Sequence, residues 1–240
     1  MNIALQNWVS KMIAWELPVY HMYVDSETYV TIGIGKNLTQ TLSKKPDDAK
    51  RKDTSDLKSL FNAYPGKFMR KRATRTNPAG GPAEKFDTNK KVEFEDVENE
   101  YLFLNKHAEE LSKGKHCITP KHDGQRQFTT IELDQASVLD MYYKEVEARL
   151  GRLRALFTGF DHFPDVVQCS LLDFAFNTSF LSHGRWSHLK SAVRKRHWLT
   201  AASNANRKAI QHQERNKLAI ENFKKAYQQA RTPAHAPAAA

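Results

Sequence analysis

Apolar residues recur at Leu5, Trp8, Val9, Met12 and Ile13, the spacing of a single helical stripe. The pattern predicts a helix that Pro18 stops. The period then changes. Residues 19–24 and 29–34 are β-branched and aromatic and flank the polar run DSET, which predicts a β-hairpin. Alternation puts Val30, Ile32 and Ile34 on one face and Tyr29, Thr31 and Gly33 on the other.

From 39 to 126 the periodicity is poor. The stretch holds a charged run (SKKPDDAKRKDTSDLK), a basic one (GKFMRKRATR), a turn cluster (TNPAGGPAE) and an acidic patch (EFEDVENE). It reads as an insertion, helical near 53–63 and 95–112, with looser loops between. Its low apolar content predicts disorder in part of it.

Order returns at Thr129. Thr129 and Glu132 have the spacing of a capping box, which predicts a long helix from there through Leu156. Its stripe is Leu133, Val138, Met141, Tyr142, Val146, Leu150 and Leu153. After Pro164, DVVQCSLLDFAFN is apolar nearly all round and predicts a central buried helix. RWSHLKSAVRKR, HWLTAASNANRKA and QERNKLAIENFKKAYQQA predict further helices. The domain plan is therefore an N-terminal lobe with a hairpin at 1–38, an insertion at 39–126, a helical lobe at 127–230 and a disordered tail at 231–240. The expected class is α+β, mostly α.

Composition narrows the partners. The chain has 240 residues, 27% of them charged, and a net charge of +10. Such a surface attracts polyanions such as nucleic acid, anionic lipid or an anionic cell wall. No apolar run reaches the ~18 residues of a membrane span. The start, MNIALQNWVSKMIAWELP, lacks the three regions of a Sec signal, so synthesis in the cytoplasm is expected. Two cysteines, Cys117 and Cys169, are too few for a disulfide framework.

Candidate chemistry lies in the opening stretch. Glu16 stands at the predicted helix end, where the helix dipole is negative, beside Trp15, Leu17 and Pro18. Both surroundings raise a carboxyl pKa and suit a general acid. Asp25 stands at a polar turn, where solvent keeps it ionised. Two carboxyls with opposed environments suit glycoside hydrolysis, and the Thr31 hydroxyl can hold a water. The same residues also fit a bland reading, a surface helix end and a turn former.

The run E16-x8-D25-x5-T31, followed by TIGIG at 31–35, resembles the signature of the T4-phage-type lysozymes. These are the muramidases of glycoside hydrolase family 24, with relatives among bacteriocins and secreted antibacterial effectors. TIELDQASVLDMYYKEV, SLLDFAFN and QERNKLAIENF resemble later helices of that family, and the likeness covers roughly 1–38 and 127–228. It implies a lysozyme-like two-lobe fold. It implies Glu16 as general acid, Asp25 as stabiliser or water-positioning group and Thr31 as water-orienting group. Asn177 would line the cleft and Arg215 would pair with Glu16. The strand at Gly33 would support the site, as would Lys36, which stands where some relatives have His.

The implied reaction is inverting cleavage of the β-1,4 bond between N-acetylmuramic acid and N-acetylglucosamine. Inversion calls for carboxyls roughly 6.5–9.5 Å apart. The sequence departs from the family at Thr178-Ser179, where a Gly turn is usual, and in the 39–126 insertion. The implied partner is peptidoglycan, reached in the periplasm of a target cell after delivery or lysis. An immunity protein or a secretion-machine component is a further implied partner. Phage endolysin and effector toxin both fit, the insertion favouring the effector.

Other signals are weaker. His116, Cys117 and His122 lack the CxxC or HExxH spacing of a zinc site, so no metal or cofactor is expected. Lys67, Arg70, Lys71, Arg72 and Arg75 read as a solvated basic loop. Only Phe68 interleaves with them, so nucleic acid is not the expected partner. The alternative to catalysis is a binding module for glycan or nucleic acid on a lysozyme-like fold.

Overall fold

The computed structural model describes residues 1–16, 18–24, 29–33, 36–38, 53–112, 120–182, 184, 186–207 and 213–231. The protein is α+β and mostly helical, with a small antiparallel sheet. The chain divides into two compact units, Met1–Met12 with Glu145–Ala240, and Ile13–Lys144. Two helices, α1 (Ile3–Glu16) and α5 (Gln135–Leu156), pass from one unit into the other.

The Ile13–Lys144 unit is built on a five-stranded sheet in the order β3-β2-β1-β7-β4. Its strands are β1 (Val19–Val24), β2 (Val30–Gly33), β3 (Lys36–Asn37), β4 (Phe68–Arg70) and β7 (Ile131–Leu133). Between them lie α2 (Ser55–Ala63), a separate ribbon of β5 (Thr74–Arg75) and β6 (Glu84–Lys85), α3 (Phe94–Lys106), α4 (Ala108–Leu111) and a 3₁₀ helix, Pro120–Phe128. β1 and β2 form the expected hairpin, but the hairpin is only part of a larger sheet. β1 also pairs with β7 through His21 and Glu132, and β7 pairs with β4 along its length.

The 53–112 stretch is more ordered than its pattern suggests. Leu57, Leu60, Val97, Tyr101, Leu104 and Leu111 share one apolar core with Met22, Val24, Val30 and Ile32 of the hairpin. Glu93 and Asp96 cap α3 reciprocally.

The expected helix start at Thr129 is displaced. Ile131, Glu132 and Leu133 are a strand, and α5 begins after Asp134, whose Oδ1 accepts the Ser137 N–H at 2.9 Å. The Glu132 carboxylate is engaged elsewhere. It accepts from Arg72 Nη1 at 2.7 Å and from Arg126 Nη2 at 3.0 Å. Strand pairing on both sides of 131–133 outweighs the local capping signal.

Arginines from the supposed solvated loop belong to this framework. Arg70 Nη2 donates to Asp96 Oδ1 at 2.7 Å, and Arg75 Nη2 to Glu84 Oε2 at 2.5 Å. The Arg75 guanidinium also lies 3.9 Å from the Phe103 ring centroid. The planar fork of arginine lets each side chain meet a carboxylate while its stem lies on apolar surface.

Glu100, 1% exposed, fastens α3 to β7. Its carboxylate accepts from Thr130 N at 2.6 Å, Thr130 Oγ1 at 2.8 Å and Ile131 N at 3.1 Å. Burial pushes this carboxyl up, against the pull of those donors and of Arg75.

In the helical unit, the Asn2 side chain accepts the Leu5 N–H at 2.8 Å and so caps α1. Leu5, Val9 and Met12 are buried along the predicted stripe. α6 (Asp165–Asn177) is buried all round from Val167 to Ala175, as a central helix must be. α7 (Ser187–Arg194), α8 (Trp198–Ser203) and α9 (Gln213–Arg231) complete the unit. Buried Trp198 packs against Phe163 and Phe223. The tail from 232 to 240 lies outside the described residues. Among the described residues no helix is long and apolar enough to cross a membrane.

Two outcomes follow. Glu100→Ala leaves three donors without an acceptor and destabilises the fold by about 3 kcal/mol, read from denaturant unfolding. Burial raises the Glu132 carboxyl, but its bonds to Arg72 and Arg126 outweigh this and hold it below the usual glutamate value. Its stabilisation is therefore present above an unfolded-state value of ~4.3 and is lost as pH falls through the lower folded value. Glu132→Gln lowers the melting temperature at pH ~6, and the gap to wild type closes towards pH ~3.

Candidate functional site

The backbone of α1 ends at Glu16, and β1 begins three residues later at Val19. The Glu16 carboxyl lies outside the described atoms, and Asp25 lies outside the described residues altogether. The register of the hairpin relates their neighbours. Gly33 is opposite Val19, Thr31 opposite Tyr23 and Val30 opposite Val24, with a shift in register between Val19 and Tyr23. The irregularity on β1 lets two residues of β2 span four of β1. Bulges of this kind bend a strand and are frequent beside active sites.

Thr31 is 2% exposed, and its hydroxyl donates to the Tyr29 carbonyl at 3.4 Å. Both faces of β2 are buried, the Thr31 face as well as the face of Val30 and Ile32. Gly33 has φ +68°, a conformation that disfavours any side chain. An added Cβ there would meet Met141 Cε at 3.5 Å and Val138 Cγ1 at 3.7 Å, so α5 packs closely on the strand. Lys36 pairs through its backbone with Ile32, and its side chain lies outside the described atoms.

In the helical unit Asn177 is the last residue of α6, its side chain outside the described atoms. Arg149 Nη1 donates to the Ala175 carbonyl in that last turn and lies over the Phe176 ring, 4.5 Å from its centroid. Arg215 donates from Nε to Asp173 Oδ1 at 2.9 Å. Asp173, 2% exposed, also receives Arg207 through its other oxygen. Arg207 in turn holds the Asn216 side chain, with its N–H 3.0 Å from Oδ1 and its carbonyl 2.7 Å from Nδ2. The described partner of Arg215 is thus a carboxylate of its own unit.

The residues that sequence reasoning missed are Asp173, Arg207, Glu100 and Gln125. The first three are charged side chains buried in ion-pair or hydrogen-bond networks. A sequence marks a buried charge only when it interrupts an apolar run, as Asp173 does in SLLDFAFN. Buried Cys169 has its thiol pushed up to about 12, first by burial and then by the Asp165 charge, which leaves it inert as a nucleophile at neutral pH. His116 and Cys117 lie outside the described residues, as does the side chain of His122. Among the described residues no cluster of His, Cys, Asp or Glu could hold a metal ion.

Asp173→Ala would leave two guanidiniums without their shared carboxylate. We expect a loss of about 3–5 kcal/mol in denaturant unfolding. Combining it with Arg207→Met should recover part of that loss. No family model, curated protein or solved structure matches this chain.

Proposed function

We propose that the protein is a glycoside hydrolase that cleaves the β-1,4 bond between N-acetylmuramic acid and N-acetylglucosamine in peptidoglycan. Glu16 would protonate the leaving oxygen, Asp25 would direct water or stabilise the cation, and Thr31 would orient that water. The observation that carries the reading is the shifted β1–β2 register. It relates Gly33 to Val19, three residues past Glu16, and Thr31 to Tyr23, two residues before Asp25. Thr31 lies in that bent hairpin, Glu16 ends the helix three residues before its first strand, and Asp25 follows that strand in sequence.

The net charge of +10 suits a substrate rich in carboxylates and phosphates. Action on a cell wall after delivery or lysis fits the same reading. So does an inhibitory partner with acidic side chains. A second reading, a glycan-binding module without catalysis, draws on the burial of Thr31, since the hydroxyl of a residue 2% exposed reaches a substrate water only if the hairpin opens locally. Nucleic acid is less favoured, because Arg70, Arg72 and Arg75 are committed to Asp96, Glu132 and Glu84.

Purified sacculi test the proposal. Wild-type protein should clear their turbidity, and Glu16→Gln should slow clearing by ~100-fold or more without loss of fold. The fresh reducing end should appear as the inverted α-anomer by NMR. Equal behaviour of wild type and Glu16→Gln rejects catalysis through Glu16 and favours the binding module.

A further inference from the structure

The cations that hold this fold together are paired. Arg70, Arg72 and Arg75 each meet a carboxylate, as do Arg207 and Arg215. A second set stands unpaired. Residues 174–213 contain no aspartate or glutamate. Within them Arg194, Lys195 and Arg196 are exposed where α7 ends and lead into α8. On α9, Lys224, Lys225 and Arg231 are exposed, and no acidic residue follows Glu221 on that helix. Among the described residues, none of these six cations has a carboxylate partner. Arg196 closes α7 at φ 55°, its N–H on the Val193 carbonyl and the His197 N–H on the Ala192 carbonyl, both at 2.9 Å. Glycine is the usual residue at such a cap, so a cation stands here against backbone preference.

Between α8 and the end of α9 lies a groove of about 530 Å³, lined by Leu199, Lys224, Tyr227, Gln228 and Arg231. That volume is within the range of ligand clefts. Residues 224, 227, 228 and 231 share one helix face. Leu199 is 44% exposed and gives the groove an aliphatic patch. Arg231 Nη1 donates to Tyr227 Oη at 3.1 Å, and its guanidinium lies 5.4 Å from that ring's centroid. Trp198, one residue before Leu199, is buried against Phe163 and Phe223. The groove thus joins an exposed leucine to two uncompensated cations, and its one aromatic ring already faces a guanidinium.

We propose that this groove docks an acidic segment of a partner protein, with carboxylates meeting Lys224 and Arg231 and an apolar side chain covering Leu199. A phosphate polymer would answer the charge but leave Leu199 uncovered. Single-stranded nucleic acid also calls for open aromatic faces on which bases stack, and buried Trp198 provides none. A second copy of this chain would set like charge against like charge. The proposal is independent of the glycosidase reading, since the groove lies wholly in the helical unit and uses none of Glu16, Asp25 and Thr31.

The test uses the full chain and an array of decapeptides in which one Leu, Phe or Tyr moves through a run of glutamates. An all-glutamate decapeptide, a decathymidylate and the peptide TPAHAPAAA, copied from 232–240, are included. Binding is read by fluorescence anisotropy at physiological ionic strength. The best glutamate–apolar peptide should bind more tightly than all three. Lys224→Glu with Arg231→Glu should weaken it ~10-fold or more. Leu199→Ser should weaken it about 5-fold. The melting temperature should hold in both variants, because all three positions are exposed.

An array on which no peptide binds overturns the inference. So does binding that these variants leave unchanged while the fold is intact. If the all-glutamate peptide or the decathymidylate binds as well, the surface reads charge alone and the inference falls. If TPAHAPAAA binds best, the occupant is the chain's own tail. Self-association in sedimentation that the same variants abolish assigns the groove to a second copy, and that also overturns the inference.

Discussion

Strand β1 is buried on both faces apart from half-buried Tyr20, so its backbone hydrogen bonds depend chiefly on partners within the protein. β2 supplies one edge. Across the other edge β7 meets β1 at a single position, and further along Gln125 fills in for a strand at Val24. β7 itself is three residues long and is held by β4 and by the Glu100 carboxylate. The hairpin that carries the candidate motif thus depends on α3, on β4 and on the 3₁₀ helix. Each belongs to a stretch whose sequence pattern resembles a tolerated insertion.

Charge serves this framework as much as it serves solubility. Arg70, Arg72 and Arg75 bind Asp96, Glu132 and Glu84, and Glu100 lies within reach of the Arg75 field. In the helical unit Asp173 receives both Arg207 and Arg215. Buried ions of this kind add little net stability against an apolar alternative, but losing one partner is costly. They also discriminate between registers, because a strand slipped by one residue would turn Glu132 away from both arginines.

What was legible in the sequence follows the length of each element. The stripe of α1, its stop near Pro18, the hairpin and the buried α6 all carry enough residues for a period to show. β4 and β7, with three residues each, carry none. TTIE read as a helix start because its local capping signal is sound, and only pairing with partners 61–65 and 111 residues away overrides it. Arg70 and Arg72 read as solvated because their carboxylates, Asp96 and Glu132, are remote in sequence. At the candidate site, the spacing of Glu16, Asp25 and Thr31 was visible. The burial of Thr31 was not, since alternation cannot tell a half-covered hairpin from one covered on both faces.

The described residues 53–112 are built into the body of their unit and not as a lid. A lid must leave the body of the protein at modest cost. Leu57, Val97, Tyr101, Leu104 and Leu111 are buried completely, in the same core as Met22, Val24, Val30 and Ile32. Exposing each such side chain costs about 1.5–3 kcal/mol. Lifting these five together would therefore require an amount comparable to the whole stability of a typical domain, about 5–15 kcal/mol. Under the proposed activity, motion that admits a substrate would have to come from pieces that do not carry this core. For that same activity, a hairpin held by its own scaffold would suit electrostatic preorganisation, with local opening left to the buried Thr31.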